Sequence, residues 1–308
     1  MKKKILIMMS TYNGEKYINK QVDSILNQKT CLAINLLIRD DGSTDNTPDI
    51  LKEYASQYKN IEIVLDRNIG CNRSFFKLIQ LAKDFDYYAF SDQDDIWLEN
   101  KIQSAINEID KLDSNIPILY GSSSYIMKNE ISTGKETRKK IRPINFYNTI
   151  IQNFLPGHSQ VMNRAMIDIL KQSKNINFDK IYMYDYWICN VAAIFGNIIF
   201  DNNSHTLYRM HDQNVLGYGN NKINWTINRL KKVRKGELTK QAIQINYFYE
   251  YYNDQLSNEQ KDEIENFLKA KKIFYKRINY ALSSKFYRQS KLETLLFKLL
   301  YIFKQYNI

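Results

Sequence analysis

The sequence predicts an α/β protein, a mostly parallel sheet with helices on both faces, followed by a helical C-terminal region. Three observations carry this. Over the first 110 residues, short apolar runs of strand length alternate with stretches whose apolar residues recur at every third or fourth position. Polar clusters close three of the four runs, where open sheets of this kind bind ligands. Beyond Lys222 only helical periodicity remains.

Lys4–Met9 reads as a strand buried on both faces and Ala33–Arg39 as a second, with Ile61–Leu65 and Tyr87–Phe90 as weaker ones. The intervening helices show apolar stripes: Ile18, Val22, Ile25 and Leu26, then Ile50, Leu51, Tyr54, Ala55 and Tyr58. Phe75, Leu78, Ile79 and Ala82 mark a third, and Ile102, Ala105, Ile106 and Ile109 a fourth. From Pro117 to Arg209 the pattern is mixed, with short strands at Ile118–Tyr120, Ile198–Phe200 and His205–Tyr208 and two helices. The tail predicts helices over Trp225–Lys235, Thr239–Tyr252, Asn258–Ser283 and Lys291–Phe303.

Composition narrows the classes. An apolar fraction of 44% in 308 residues supports a large core and excludes wholesale disorder. Cys31, Cys71 and Cys189 are too far apart for a metal motif or a disulfide framework, which fits a reducing, cytoplasmic compartment. The apolar run Ile5–Met9 after the N-terminal lysines is too short for a secretion signal, and no run approaches the ~20 residues of a membrane span. The net charge of +11 is concentrated in residues 222–308, which hold 18 Lys and Arg against 8 Asp and Glu. Such a tail suits an anionic lipid surface or a polyanion. Its Tyr247-Phe248-Tyr249 and Leu295–Phe303 stretches combine aromatics with basic residues, which predicts either peripheral membrane contact or a self-packing helical subdomain.

The polar clusters carry the chemistry. Asp92, Asp94 and Asp95 follow the fourth strand, and carboxylates gathered so closely call for a counter-cation, magnesium or manganese given the hard oxygen ligands. The competing explanation is a turn capped by Asp94 or Asp95 ahead of Ile96-Trp97. After the second strand, Ser43, Thr44 or Asp45 can cap the helix that carries Pro48, which leaves Asp40 and Asp41 to accept from a nucleobase imide. Tyr12 offers a stacking face for that base, or is a core aromatic.

Taken together, Ser10-Thr11-Tyr12-Asn13-Gly14-Glu15, Arg39-Asp40-Asp41-Gly42-Ser43-Thr44-Asp45, Asn68-Ile69-Gly70 and Ser91-Asp92-Gln93-Asp94-Asp95-Ile96-Trp97 closely resemble the family-2 glycosyltransferases. The likeness is strongest over residues 4–110 and continues more loosely to about residue 217. It implies a GT-A fold and an inverting, metal-dependent transfer from a nucleoside-diphosphate sugar to a glycan or lipid-linked saccharide. Relatives with this last motif resemble rhamnosyltransferases of bacterial surface-polysaccharide assembly, which favours dTDP-rhamnose as donor, then UDP-hexoses. By that resemblance residues 1–221 form the catalytic domain, with 1–110 binding the nucleotide sugar and 111–221 the acceptor, and 222–308 an appended helical region.

The resemblance also assigns roles. Ser10, Thr11, Tyr12, Asn13, Glu15, Asp40 and Asp41 surround the nucleoside. Asn68, Gly70 and Arg73 approach the ribose or phosphate, and Asp92 and Gln93 the ribose and donor sugar. Asp94 binds the Mn2+ or Mg2+, His211 completes its shell and Arg209 faces the phosphates. Gly157 and His158 lie on an acceptor-side loop, while Tyr184 and Trp187 flank Asp185, the general base. A helix N-cap at Asp185 and a structural His211 are the simpler alternatives. A non-catalytic relative of the same fold is the competing functional class. Nucleic-acid binding is not expected, since the tail has no recognised binding motif.

Overall fold

The computed structural model describes residues 2–210, 236–270 and 273–306. In the first part β1 (Lys4–Thr11), α1 (Ile18–Leu26), β2 (Ala33–Asp41), α2 (Thr47–Gln57), β3 (Ile61–Asp66), α3 (Cys71–Leu81) and β4 (Tyr87–Ser91) alternate. Then come β5 (Ile96–Trp97), α4 (Lys101–Ile109), β6 (Ile118–Lys128), β7 (Ile131–Glu136), α5 (Phe146–Thr149), β8 (Val161–Asn163), α6 (Arg164–Gln172), α7 (Tyr184–Phe195) and β9 (Asn197–Arg209). The tail holds α8 (Glu237–Tyr252), α9 (Asn258–Ala270), α10 (Phe274–Ser283) and α11 (Lys291–Ile302). The described residues fall into two compact units, one of 2–139, 155–176 and 195–210, the other of 140–154, 177–194 and the tail.

The first unit is built on one sheet in the order β3-β2-β1-β4-β8-β6-β9-β5, with β7 beside β6. The β3-β2-β1-β4 half is parallel throughout, as the succession of βα units dictates. β8 runs antiparallel to both β4 and β6, and β6 returns to a parallel pairing with β9. Ile5, Ile7 and Met9 of β1 share a core with Ile18, Val22 and Ile25 of α1 and with Ile102, Ala105 and Ile106 of α4. α3 lies against β1 and β2, and Phe75 meets Phe90 edge to face at 5.3 Å.

Several strands outrun the sequence expectation for one reason. β1 and β2 run two residues past their apolar stretches, because the ladder pairs Ser10 with Arg39 and Thr11 with Asp40 whatever their side chains. β9 likewise absorbs both Ile198–Phe200 and His205–Tyr208. The polar Asp201-Asn202-Asn203 between them is accommodated where the β6–β9 register shifts, between Ser122 and Ser123.

The second unit is helical. Trp187 of α7 is fully buried and stacks on Tyr247 at 5.4 Å, with Phe248 of α8 edge-on at 5.2 Å. The stretch expected as one helix over Asn258–Ser283 is two, with Ile273 extended at φ −126° and ψ 130°. In one straight helix Phe267 and Tyr280 would lie about 20 Å apart. Their ring centroids are 6.1 Å apart, and both join a cluster with Tyr301. The predicted helix Trp225–Lys235 lies outside the described residues.

Gly196, at the entry to β9, shows how tightly the sheet unit is packed: a Cβ there would meet the Pro117 backbone. We expect Gly196→Ala to lower stability by about 1–3 kcal/mol through overpacking, read by urea unfolding.

Candidate active site at the carboxyl edge of the sheet

The parallel half delivers the ends of β1, β2 and β4 to one edge, and side chains there tie the three loops together. Gln93 Oε1 accepts from Tyr12 N at 2.8 Å while Gln93 Nε2 donates to Tyr12 O at 3.0 Å, clasping the loop after β4 to the loop after β1. Asn13, held at φ 48°, receives at Oδ1 from Thr44 N, and its own N donates to Ser43 Oγ. Glu15 Oε2 accepts from Asn46 N. Asp40 takes Ser43 N, Ser43 Oγ and Thr11 Oγ1, so it shapes the turn after β2. Asp41 accepts from Ile69 N and Gly70 N, which fixes the loop after β3. Gly42, at φ 76°, comes so close to Asn68 N that a Cβ would sit 2.8 Å from it.

Beneath these loops lies Arg39, a residue the sequence reading did not single out. It is wholly buried and donates to Asp41 Oδ1 at 2.6 Å, Ser74 Oγ, Asp66 Oδ2 and Arg67 O. Its position beside Asp40-Asp41 was the available signal. Above it the Tyr12 ring is 49% exposed, so Tyr12 is a rim aromatic and not a core one. Asn68, Gly70 and Arg73 are exposed at the same edge, and Ser10 Oγ bonds Ser74 Oγ at 2.6 Å. Gly70, at φ 84°, precedes α3.

The acidic cluster is completed from the antiparallel strands. Because β8 runs against β4, the turn Gly157–Ser159 before β8 returns beside the residues after β4, and Phe90 N donates to Gln160 O. This brings His158 Nδ1 to 3.8 Å from Asp92 Oδ2 and 3.7 Å from Asp95 Oδ2. These spacings exceed a hydrogen bond and suit atoms that could share one cation. Asp92 reaches the surface, whereas Asp95 and His158 are buried. Asp95 Oδ2 has no hydrogen-bond partner, an orphaned buried oxygen turned toward the imidazole. The donor set of two carboxylates and one imidazole therefore fits a divalent cation such as manganese. His158 Nε2 meets Ser124 Oγ at 3.0 Å, and the tautomer donating there leaves the Nδ1 lone pair facing the carboxylates.

Arg209 arrives because β9 pairs with β5, Leu207 opposite Ile96. Its N donates to Asp95 Oδ1, its Nε donates to Asp94 O, and its guanidinium lies 4.5 Å from the Tyr17 ring centre and pairs with Glu130. Burial, with the negative charges of Asp94 and Asp92, pushes the Asp95 carboxyl well above the usual range. Burial, then the cations Lys101 and Arg138, holds His158 well below its ordinary value. Lys101 is itself buried, donates to His158 O and Thr206 Oγ1, and is pushed down to about 7 by burial against the pull of Asp95 and Asp92.

The sequence reading placed the metal on Asp94 and His211. Asp94 sits in this loop with its carbonyl engaged by Arg209, and His211 lies outside the described residues. Asp95 belongs to the carboxylate cluster for which the sequence predicts a counter-cation, with a helix cap as the alternative, whereas His158 reads only as an acceptor-loop residue. The signal for His158 was its place in the turn before a strand, but nothing linear announced that this strand would run antiparallel to β4. In the helical unit, Asp185 is buried in the first turn of α7 with Oδ1 on Tyr186 N at 2.7 Å, Tyr184 precedes it, and Trp187 belongs to the aromatic core.

A parallel sheet half continued by antiparallel strands, with helices on its faces and an acidic cluster at its carboxyl edge, is a GT-A glycosyltransferase architecture. The Glycosyl transferase family 2 model matches residues 6–170, and the chain belongs to that family and is a glycosyltransferase. The dTDP-rhamnosyl transferase RfbG of Shigella flexneri is 30% identical over 224 residues, 68% of this chain and 73% of that protein. Among solved structures, residues 1–349 of S. aureus TarS in complex with UDP-GlcNAc superpose with a TM-score of 0.58 at 17% identity, covering 99% of this chain and 82% of that one. A Pyrobaculum calidifontis mannosyltransferase in complex with GDP-Man and Mn2+ matches with a TM-score of 0.56 at 13% identity, over 99% and 84% of the chains.

Arg39→Met leaves Asp41 and Asp66 without their buried cation, and we expect a loss of about 3–5 kcal/mol in denaturant unfolding. Arg39→Lys should recover only part of it, because one ammonium cannot reach four acceptors in a fork.

Proposed function

We propose that this protein moves one sugar from a nucleoside-diphosphate donor to a hydroxyl of a glycan or lipid-linked saccharide, with inversion, in bacterial surface-polysaccharide assembly on the cytoplasmic side. dTDP-rhamnose is the donor we favour, with UDP-hexoses next, and the similarity to a dTDP-rhamnosyl transferase supports that order. One observation carries the proposal: the Gln93–Tyr12 clasp joins an exposed aromatic ring to the loop that supplies Asp92 and Asp95.

In this reading the Tyr12 ring stacks on the base, and Ser10, Thr11, Asn13, Glu15, Asp40 and Asp41 hold the walls of the nucleoside pocket. Asn68, Gly70 and Arg73 approach the ribose or phosphate, Asp92 and Gln93 the ribose and donor sugar, and Arg209 the diphosphate. Asp92, Asp95 and His158 would hold Mn2+ or Mg2+, with Asp94 and His211 the ligands implied by family resemblance. A cation bound there neutralises charge on the departing diphosphate. Gly157, His158 and Tyr184 support the acceptor side, whereas Trp187, buried in the aromatic core, anchors α7 and does not reach an acceptor. Asp185 takes the proton of the acceptor hydroxyl as its oxygen bonds the anomeric carbon. The bond from that carbon to the phosphate oxygen breaks, and its electron pair leaves with the nucleoside diphosphate.

The test is thermal-shift binding of UDP, dTDP and GDP, each with and without Mn2+. Stabilisation by dTDP only with metal supports the donor assignment, stabilisation by UDP alone moves it to UDP-hexoses, and no response favours a non-catalytic member of the fold. Asp92→Asn should weaken metal-dependent nucleotide binding at least tenfold. Asp185→Asn should leave nucleotide binding unchanged and abolish transfer; retained turnover removes Asp185 as the base.

A further inference from the structure

The helical unit carries an apolar surface that includes none of the residues assigned above to sugar transfer. α11 is hydrophobic around most of its circumference. Phe297 and Tyr301 point inward to the aromatic cluster of Phe267, Tyr280 and Tyr306. On the opposite side Leu292, Leu295, Leu299 and Phe303, spaced by three and four residues, are 42–66% exposed. The neighbouring α10 adds exposed Phe274, Tyr275 and Leu282. Of the sixteen large apolar side chains exposed among the described residues, eight lie between Ile273 and Phe303. Scattered single exposures are ordinary, but half of them fall within 31 residues, and Leu292, Leu295, Leu299 and Phe303 share one helix face that calls for an occupant.

The charge around the patch identifies that occupant. Between residues 273 and 304 the chain carries seven cations against the single acid Glu293. Arg277 is turned to Ile302 O, Lys285 to Glu259 and Arg288 to Glu293 and Ile151 O, which leaves Lys276, Lys291, Lys298 and Lys304 to form the positive rim. A second copy of this chain would bring one positive rim against another. An anionic lipid surface complements the rim and accepts the leucines and phenylalanines among its acyl chains. No helix among the described residues is long and apolar enough to cross a membrane, so contact through this face would be interfacial.

We propose that the outer stripe of α11, with the exposed residues of α10, is a docking face for an anionic lipid bilayer. The face holds the protein on the membrane with Leu292, Leu295, Leu299 and Phe303 inserted and Lys276, Lys291, Lys298 and Lys304 on the headgroups. The proposal does not depend on donor identity or on catalysis, so its failure leaves the sugar-transfer reading intact.

Flotation of the full chain with vesicles of phosphatidylcholine alone, or with a third of the lipid as phosphatidylglycerol, tests it. The expected result is at least tenfold more protein on the anionic vesicles, falling as salt rises from 0.1 to 0.5 M. The double substitution Leu295→Asp and Leu299→Asp should abolish flotation while leaving the circular dichroism spectrum and the thermal midpoint within a few degrees of wild type. Binding that the double variant retains, or none by the wild type, overturns the proposal. A wild-type dimer in sedimentation that the same substitutions dissociate, without vesicle binding, also overturns it and assigns the face to a second copy. Should the double variant misfold, Leu299→Ser alone serves, with at least a threefold loss of flotation expected and unchanged flotation counting against the proposal.

Discussion

The candidate site depends on one buried cation. Arg39 has no contact with solvent, yet its guanidinium joins the end of β2, the end of β3, the loop that follows β3 and Ser74 of α3. A charge so enclosed is tolerable only because carboxylates and a carbonyl surround it, and the same bonds prevent those carboxylates from turning elsewhere. Asp41 is thereby aimed at the Ile69 and Gly70 amides, which shapes the loop proposed to meet the ribose or phosphate. Much of the polar rim works this way. Its acids and amides hold backbone, and the backbone holds the opening.

The electrostatics of the acidic edge follow from burial more than from pairing. Asp95, His158 and Lys101 lie within one buried neighbourhood, and each is displaced toward its neutral form. Removing water penalises every charge, so the cluster reduces its charge in place of forming an ion-paired network. A site poised in this condition gains most from an incoming positive ion that restores the anionic form of the carboxyl.

Legibility in the sequence followed the range of the interactions. The four βα units could be read because strand and helix periods are local, and their polar ends mark the carboxyl edge without any tertiary information. The motifs located the correct loops, but within them a linear reading favours visible ligands over braces, so Asp94 drew attention and Arg39 did not. His158 joins Asp92 and Asp95 through an antiparallel pairing between segments some seventy residues apart, which no local period encodes. The split between α9 and α10 was hidden for a similar reason. It is stabilised by Phe267 and Tyr280 meeting Tyr301, and each segment alone is a sound helix.

The long parallel ladder of β6 with β9 has a consequence for how the protein is made. The loops after β1, β2, β3 and β4 come from the first hundred residues and can close on one another while the remainder is still being synthesised. The acidic cluster cannot. It waits for His158 and then for the end of β9, whose Arg209 amide is the donor to Asp95. A chain interrupted before Arg209 would hold a braced rim above a buried carboxyl that lacks this partner. Completion of the acidic edge is therefore a late event, set by contacts of high sequence separation and not by the motifs that announce the family.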